Sequence, residues 1–204
     1  QAVTCDDFAQ AIADANPDSA LAQHLAQFKR WYSQAGTPVV QARGSYDAAA
    51  HRYTLTLSQS CGASPGQASK APFVIPVQLG LLSASGEALL ASRLEVLTED
   101  SQQWVFDNIT SEPVPSLLRG FSAPVVLDID YTDAQLLTLL AHDTDAFNRW
   151  EAAQRLGVRA ALKALTLTAP PTTVLPASLI EALRDVLRHP TLDAAFKELV
   201  LTLP

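Results

Sequence analysis

The sequence predicts a mixed fold in which an immunoglobulin-like antiparallel β-sandwich is flanked by an N-terminal helical pair and by C-terminal helical hairpins. Two observations support this class. Over residues 1–36 and 132–204, apolar residues recur every three or four positions, which is typical of amphipathic helices. Over residues 37–131 they alternate with polar residues, which is typical of half-buried strands. The change of period predicts boundaries near residues 36 and 131.

Two helices are predicted at the N-terminus. Thr4 is followed three positions later by Asp7, a spacing that lets the two side chains cap the start of a helix. Asn16-Pro17 ends this helix, and Gly36 ends the next one, because glycine adopts the positive φ of a helix C-terminus. The second helix carries one apolar stripe, formed by Leu21, Leu25, Phe28 and Tyr32.

Six runs between residues 37 and 131 are predicted to be strands. They are 39–43, 53–58, 73–82, 88–97, 102–107 and 124–129. The alternation is clearest where Tyr53, Leu55 and Leu57 are separated by hydroxyl side chains, and these three are expected to point inward. Ser85-Gly86 predicts a hairpin turn, and residues 61–71 a loop. Six or seven short strands within about 95 residues predict an immunoglobulin-like sandwich, although the Cys-Trp-Cys pattern of antibody domains is missing.

Helices are predicted again from residue 132 onward, as helix–turn–helix units that resemble the start of a stacked helical array. Thr132 and Gln135 form a capping box, and a longer helix begins near Thr144. This helix carries Phe147 and Trp150, with Trp150 expected to be buried. Small residues that allow close helix packing follow on the same side, at Ala153, Gly157, Ala160 and Ala164. Further boundaries are predicted at Pro170-Pro171, Pro176, His189-Pro190 and Thr191.

Composition excludes several classes of partner. The net charge of −7 comes from 21 acidic and 14 basic residues without a run of Lys or Arg, which argues against nucleic acid. No apolar stretch reaches the ~18 residues of a membrane span. Cys5 and Cys61 form neither a CxxC pair nor a disulfide framework, which favours the reducing cytoplasm. Because methionine is absent and the chain opens at Gln1 in helical sequence, we expect a segment of a larger protein.

No catalytic, cofactor-binding or metal site is predicted. The four histidines have no HExxH spacing; they are His24, His51, His142 and His189. The densest polar cluster is residues 142–145, which offers carboxylates and a hydroxyl to a hard cation. The favoured interpretation is that this cluster ends one helix and caps the next.

Isolated reactive groups are interpreted as structural. Cys61 has only Lys70 near it in sequence, whereas an activated thiol needs a close cation or helix N-terminus. The serines of the same loop lack a GxSxG elbow; they are Ser60, Ser64 and Ser69. Core packing rather than ligand stacking is predicted for the large rings of Trp31, Tyr32, Trp104 and Trp150.

Five tracts spread along the chain resemble the M1 (gluzincin) family of bacterial zinc aminopeptidases. They are residues 28–40 (FKRWYSQAGTPVV), 53–59 (YTLTLSQ), 106–109 (FDNI), 113–125 (PVPSLLRGFSAPV) and 145–154 (DAFNRWEAAQ). The resemblance implies that residues 1–36 are the last helices of a catalytic domain, 37–131 an Ig-like linker domain, and 132–204 the start of a C-terminal helical-array domain.

Such enzymes remove N-terminal amino acids from peptides with one zinc ion, held by the histidines of HExxH and a downstream glutamate, while a GxMxN loop binds the substrate amine. None of these motifs can be placed on this chain. The resemblance therefore implies an inactive, structural segment that holds no zinc. Its partners would be the missing catalytic and C-terminal helical domains, with peptide substrates bound by the parent enzyme alone.

Patterning alone leaves a second interpretation open, a free-standing β-sandwich interaction module with helical flanks. The two differ at the chain ends. A free-standing module is expected to have solvated terminal helices, whereas a segment of a larger protein is expected to leave apolar helix faces bare. The stripe over residues 21–32 and a second one at Phe196, Leu199 and Val200 favour the segment.

Overall fold

The computed structural model describes residues 2–166 and 174–202. The helices are α1 (Cys5–Ala15), α2 (Ala20–Gln23), α3 (Leu25–Phe28), α4 (Arg30–Ser33), α5 (Asp133–His142), α6 (Ala146–Leu165), α7 (Ala177–Arg188) and α8 (Ala194–Leu201). The strands are β1 (Val39–Asp47), β2 (Arg52–Ser60), β3 (Ile75–Leu82), β4 (Ala88–Leu97), β5 (Ser101–Phe106), β6 (Val114–Leu117) and β7 (Val126–Asp128). Within the described ranges, no helix combines the length and the apolar character that crossing a bilayer requires.

The chain divides into two compact units. The first unit contains Gln1–Val77, Leu94–Asn108 and Ser122–Ile129, and thus α1–α4 with strands β1, β2, β5 and β7. The second contains Gln78–Arg93, Ile109–Phe121 and Asp130–Pro204, and thus β6 with α5–α8. Strands β3 and β4 run from one unit into the other.

Helix α1 begins where its capping residues predict. Thr4 Oγ1 accepts a hydrogen bond from Asp7 N at 3.2 Å, and Asp7 Oδ2 accepts one from Thr4 N at 2.9 Å. This reciprocal capping box satisfies two backbone N–H groups that the first helical turn leaves without partners.

The single second helix expected up to Gly36 is wrong. The structure has three one-turn helices there, α2, α3 and α4, with breaks at His24 and Lys29. Helices this short gain little from their own hydrogen bonds, and side chains of this segment bond instead to backbone carbonyls of residues 72–74. Gly36 has the expected positive φ, at +101°.

Four strands of the first unit form one sheet in the order β5-β2-β1-β7. The alternation in β2 is confirmed, since Tyr53, Leu55 and Leu57 are 4%, 0% and 0% exposed. One expectation fails, because β7 pairs parallel to β1, with Val39 opposite Val126. A three-residue strand is too short for its hydrophobic pattern to indicate its direction. The parallel pairing of β7 with β1 could therefore not be predicted from the sequence.

A second sheet has the order β4-β3-β6. The hairpin turn at Ser85-Gly86 is confirmed, with Ser83 N donating to Glu87 O at 2.8 Å and Gly86 at a φ of +87°. A Cβ atom on Gly86 would lie 2.2 Å from His142 Cβ, so the turn lies directly against the end of α5. Strand β6 was not among the six predicted runs, and it contains Pro115. Proline is tolerated there because β6 lies at the sheet edge.

Helices α5–α8 mostly follow the sequence prediction. The capping box of Thr132 and Gln135 starts α5. Asp145, rather than Thr144, is the N-cap of α6. Likewise α8 starts after Asp193 and not at Thr191, because Asp193 Oδ1 accepts hydrogen bonds from the backbone N–H groups of residues 195 and 196. The break predicted at Pro170-Pro171 lies outside the described residues.

Candidate functional site

The candidate site residues lie on separate elements. His24 lies between α2 and α3, His51 in the β1–β2 turn, His142 at the end of α5 and His189 at the end of α7. In residues 2–166 and 174–202, no three His, Cys, Asp or Glu side chains come together in a group that could hold a metal ion. The residues present therefore do not fit a catalytic zinc site.

The cluster at residues 142–145 serves as the connection between two helices, as its capping interpretation predicts. Asp143 is the C-cap of α5 and Asp145 the N-cap of α6. Asp145 Oδ1 accepts from Asn148 N at 2.9 Å, and Asp143 Oδ1 accepts from Asp145 N at 2.8 Å. These carboxylate oxygens are thus engaged by backbone N–H groups.

Residues before the cluster complete a polar junction, which sequence spacing did not indicate. Arg119 Nη1 lies 3.2 Å from Asp143 Oδ1, Arg119 Nη2 donates to Thr144 Oγ1, and Gly120 N donates to Asp145 Oδ2 at 2.7 Å. We call these five residues, together with Ser116 and Asn148, the polar junction. It ties the end of β6 and the following turn to the α5–α6 connection.

Arg149 closes the C-terminal end of α5. Its Nε donates to Leu140 O at 3.0 Å and its Nη2 to Ala141 O at 3.2 Å. Burial lowers the pKa of this guanidinium, and the negative charge of Asp143 partly offsets the effect. The last carbonyls of a helix have no partner within the helix, and this buried arginine supplies donors to two of them.

A pocket of about 520 Å³ lies in the second unit. His142 and His189 both line it, although they are far apart in sequence. Further lining comes from Arg149, Thr191, Asp193 and Phe196. Arg149 and Asp193 are already bonded to helix ends, and His189 Nδ1 lies 3.4 Å from Thr191 N. Asp143 also lines the pocket, and its Oδ2 is buried without a hydrogen-bond partner in the structure.

Cys61 and Lys70 belong to a structural loop. Lys70 Nζ donates to Ala35 O at 2.5 Å, to Ser64 Oγ at 2.7 Å and to Gln67 Oε1 at 2.8 Å. Cys61 Sγ lies 3.7 Å from the same Ala35 carbonyl. With its three N–H donors directed at these acceptors, the ammonium group holds the loop against the chain after α4.

A second set of contacts joins α3 and α4 to the segment before β3. Gln27 Nε2 donates to Thr98 O at 2.6 Å, Arg30 Nη1 to Pro72 O at 2.5 Å, and Trp31 Nε1 to Val74 O at 2.9 Å. We call these three side chains and their acceptors the helix clamp. Because several bonds act on one stretch of backbone, the clamp fixes α3 and α4 on the first unit.

The large rings are less buried than the core-packing prediction requires. Trp31 packs on Phe73 with ring centroids 4.7 Å apart and is half-buried. Trp104 and Trp150 are also half-buried, and Tyr32 is exposed. For Trp150 the expectation of burial is wrong, since its side chain is only half-buried. The ring of Phe147, 5.5 Å away on α6, is exposed.

Comparison with known domain families identifies the architecture. Residues 36–130 match a family described as a domain of unknown function with an Ig-like fold (DUF3458), and residues 133–204 match its companion family of ARM repeats (DUF3458_C). The expectation of an Ig-like domain followed by a helical array is therefore confirmed. The class of protein defined here is one that joins these two domains in a single chain.

Comparison with individual proteins is more specific. The whole chain is 40% identical to Aminopeptidase N of Escherichia coli (strain K12), 38% to that of Haemophilus influenzae and 40% to that of Caulobacter vibrioides. It spans only 23–24% of their length. A crystal structure of Legionella pneumophila aminopeptidase A in complex with aspartic acid matches the whole chain, and 22% of its own, with a TM-score of 0.82 at 26% identity.

The chain is therefore similar to one segment of aminopeptidase N over its whole length, and the resemblance inferred from its sequence is confirmed. The match runs through both domains and covers the whole chain. These comparisons favour a segment of a peptidase over the free-standing interaction module.

Proposed function

We propose that this chain is a non-catalytic structural segment of a zinc-dependent aminopeptidase of the M1 type, which removes N-terminal amino acids from peptides. The observation that carries the proposal is identity of about 40% over the whole chain to aminopeptidase N, of which it spans about a quarter. The polar side chains of the described chain support it, because the densest clusters cap helices or bond to backbone.

The proposed role is to space the catalytic domain from the C-terminal helical domain. Residues 1–36 would be the last helices of the catalytic domain, 37–131 the linker domain, and 132–204 the start of the helical domain. The helix clamp supports this role. It bonds α3 and α4, which would belong to the catalytic domain, to the backbone of residues that would belong to the linker domain. A spacer can orient a neighbour only when such a connection is rigid.

The remaining parts of the proposal concern the parent enzyme. Its zinc ion and its peptide substrates would be bound outside these residues, while this chain would contact the catalytic and C-terminal helical domains. We propose a cytoplasmic location, which the two free thiols of Cys5 and Cys61 support.

A metal and activity assay on the isolated chain tests the structural role. The chain is incubated with equimolar zinc, desalted, and analysed for bound metal and for cleavage of an alanyl anilide. We expect sub-stoichiometric zinc and cleavage at the buffer rate, because a catalytic zinc needs about three converging protein ligands. Stoichiometric zinc with turnover would overturn the proposal. Reading the coding sequence upstream of Gln1 for HExxH tests the parent's identity separately.

A further inference from the structure

The turn after β6 is held in an unusual backbone conformation. Leu118, Gly120 and Phe121 have φ angles of +55°, +62° and +53°. Left-handed conformations are unfavourable for residues with a Cβ atom, and two of these three carry one. Such strain persists only where the surrounding structure imposes it. We call residues 118–121 the 118–121 turn. Its backbone conformation must therefore be imposed by the residues around it.

The helical side of the polar junction supplies that restraint. Asp145 accepts the Gly120 N–H at 2.7 Å, and Asp143, fully buried, pairs with Arg119 at 3.2 Å. Arg119 also donates to Thr144 Oγ1. Asp143, Thr144 and Asp145 all belong to the α5–α6 connection, so a single segment restrains the turn.

Strand β3 leaves space for this grip. A Cβ atom on Gly80 would lie 3.0 Å from Arg119 Nη1, so a glycine at this position leaves room for the guanidinium. Arg119 Nη1 also donates to Ser116 Oγ at 3.2 Å. The arginine is thus confined between the strand side and the helical side of the same unit.

Apolar burial in the turn is confined to its first residue, Leu118, which is 7% exposed. Phe121 is 58% exposed, and its ring contacts that of Phe147 at 5.5 Å, which is also exposed. Residues 119–121 are held by polar contacts and exposed at Phe121, and two of them have a positive φ. Such a segment has the properties of a locally opening unit.

We propose that the 118–121 turn is a latched conformational element, held closed by Asp143, Thr144 and Asp145, which opens on its own when this grip is lost. The α5–α6 connection thereby controls the conformation of the chain leaving β6. A displacement of the connection is transmitted to the turn through Arg119 and Gly120. This inference does not depend on the proposed peptidase parent.

Glycine-to-alanine substitution tests the strain in the full chain. A Cβ atom on Gly120 would have no atom within 4 Å, so Gly120→Ala changes backbone preference without a clash. We expect the unfolding equilibrium constant to rise at least about fivefold. Gly62→Ala is the control in open space without a positive φ, and it is expected to leave the constant within about twofold or to lower it. If Gly62→Ala and Gly120→Ala change the unfolding equilibrium constant equally, the turn is not strained at Gly120 and the proposal is overturned.

Removing the contacts that restrain the turn tests whether the α5–α6 connection imposes its conformation. The background is Arg119→Gln, Asp145→Ser, which removes the guanidinium and the acceptor of the Gly120 N–H. Serine keeps an N-cap hydroxyl for α6, and Asp143 keeps its favourable interaction with Arg149. In this background the effect of Gly120→Ala should fall below about twofold, since a released turn is no longer strained. Gly66→Ala is the matched control, because Gly66 has a φ of +77° in open space within the other unit. Its effect should be the same in both backgrounds. An undiminished effect of Gly120→Ala in the latch-free background would overturn the proposal.

Native-state hydrogen exchange tests the unmodified chain and does not require the double variant to fold. The Gly120 amide should exchange at least about tenfold faster than the Leu156 amide in α6, with little dependence on low denaturant concentration. Exchange of both amides at one rate, with one denaturant dependence, would mean that the turn opens only with the whole unit. That result would overturn the latch.

Discussion

The side-chain amide of Asn148 donates to the hydroxyl of Ser116 at 2.9 Å, and both residues are buried. Asn148 lies in the first turn of α6, and Ser116 lies in β6. The same amide also donates to Leu117 O at 3.0 Å. A helix and a strand that are separated in sequence by β7 and α5 are therefore joined through one asparagine.

Asn148→Ala should lower the free energy of unfolding by about 1–3 kcal/mol, because the Leu117 carbonyl loses its side-chain donor in a buried site. The measurement is the denaturation midpoint in urea. Gln154→Ala on the same helix is the control, since the hydrogen bond from Gln154 to Thr202 O is exposed. Equal losses in the two variants would contradict a buried, structural role for Asn148.

Trp31→Phe should cost about 1 kcal/mol, since it removes the bond to Val74 O in the helix clamp but keeps an aromatic ring against Phe73. Thermal unfolding gives the measurement. Trp104→Phe provides a matched change of ring at another half-buried tryptophan, on strand β5. A loss at residue 31 no larger than at residue 104 would show that the indole N–H contributes nothing.

Acid should weaken helix α1. The pKa of Asp7 is lowered, first by its hydrogen bond from the Thr4 backbone N–H and then by that from the Thr4 hydroxyl. A lowered pKa in the folded state means that the stabilisation is present above the ordinary carboxyl pKa of 3.8 and is lost as the pH falls through the folded value. Amide exchange at Ala9, followed from about pH 6 to about pH 2 and corrected for intrinsic rates, should report this loss.

Asp7→Asn is the matched variant for this titration, because asparagine keeps a side-chain acceptor without a titrating group. Its protection at Ala9 should vary less with pH over the same range. Identical pH profiles for the variant and the unmodified chain would contradict the assignment to Asp7.

Trp150→Ala should cost less than the about 3–5 kcal/mol typical of a fully buried aromatic side chain, because Trp150 is only half-buried. Leu140→Ala is a useful reference, since Leu140 is fully buried on α5. We expect the larger loss at Leu140 in a denaturant titration. The reverse order would mean that the tryptophan ring is a principal packing contact of α6.

Local signals made much of the fold predictable. The capping boxes at Thr4 and Thr132 depend on residues three positions apart, and the alternation around Leu55 depends on neighbours in one strand. Such patterns are visible in sequence because the interacting residues are close along the chain. The failures were of another kind. Continuity of the helix before Gly36 was lost to tertiary hydrogen bonds from side chains such as Gln27.

The polar junction could not be predicted for the same reason. Arg119 meets Asp143 only because β6 and the α5–α6 connection come together in space, and the sequence offers no spacing rule for that pair. Only the helix-capping roles of Asp143 and Asp145 could be predicted from neighbouring residues in the sequence. The left-handed φ of Leu118 and Phe121 is equally hidden, since neither residue type favours that conformation.

Gly86 limits how this hairpin can vary. Its φ of +87° disfavours every side chain, and a Cβ atom placed there would lie only 2.2 Å from His142 Cβ, which removes the space for even a methyl group. The backbone conformation and the neighbouring His142 side chain therefore each disfavour a side chain at this position. In a library that samples all residues at this position, glycine alone should survive selection for folding. Lengthening the hairpin by one residue should be rejected as strongly, because the added atoms would have to displace the end of α5.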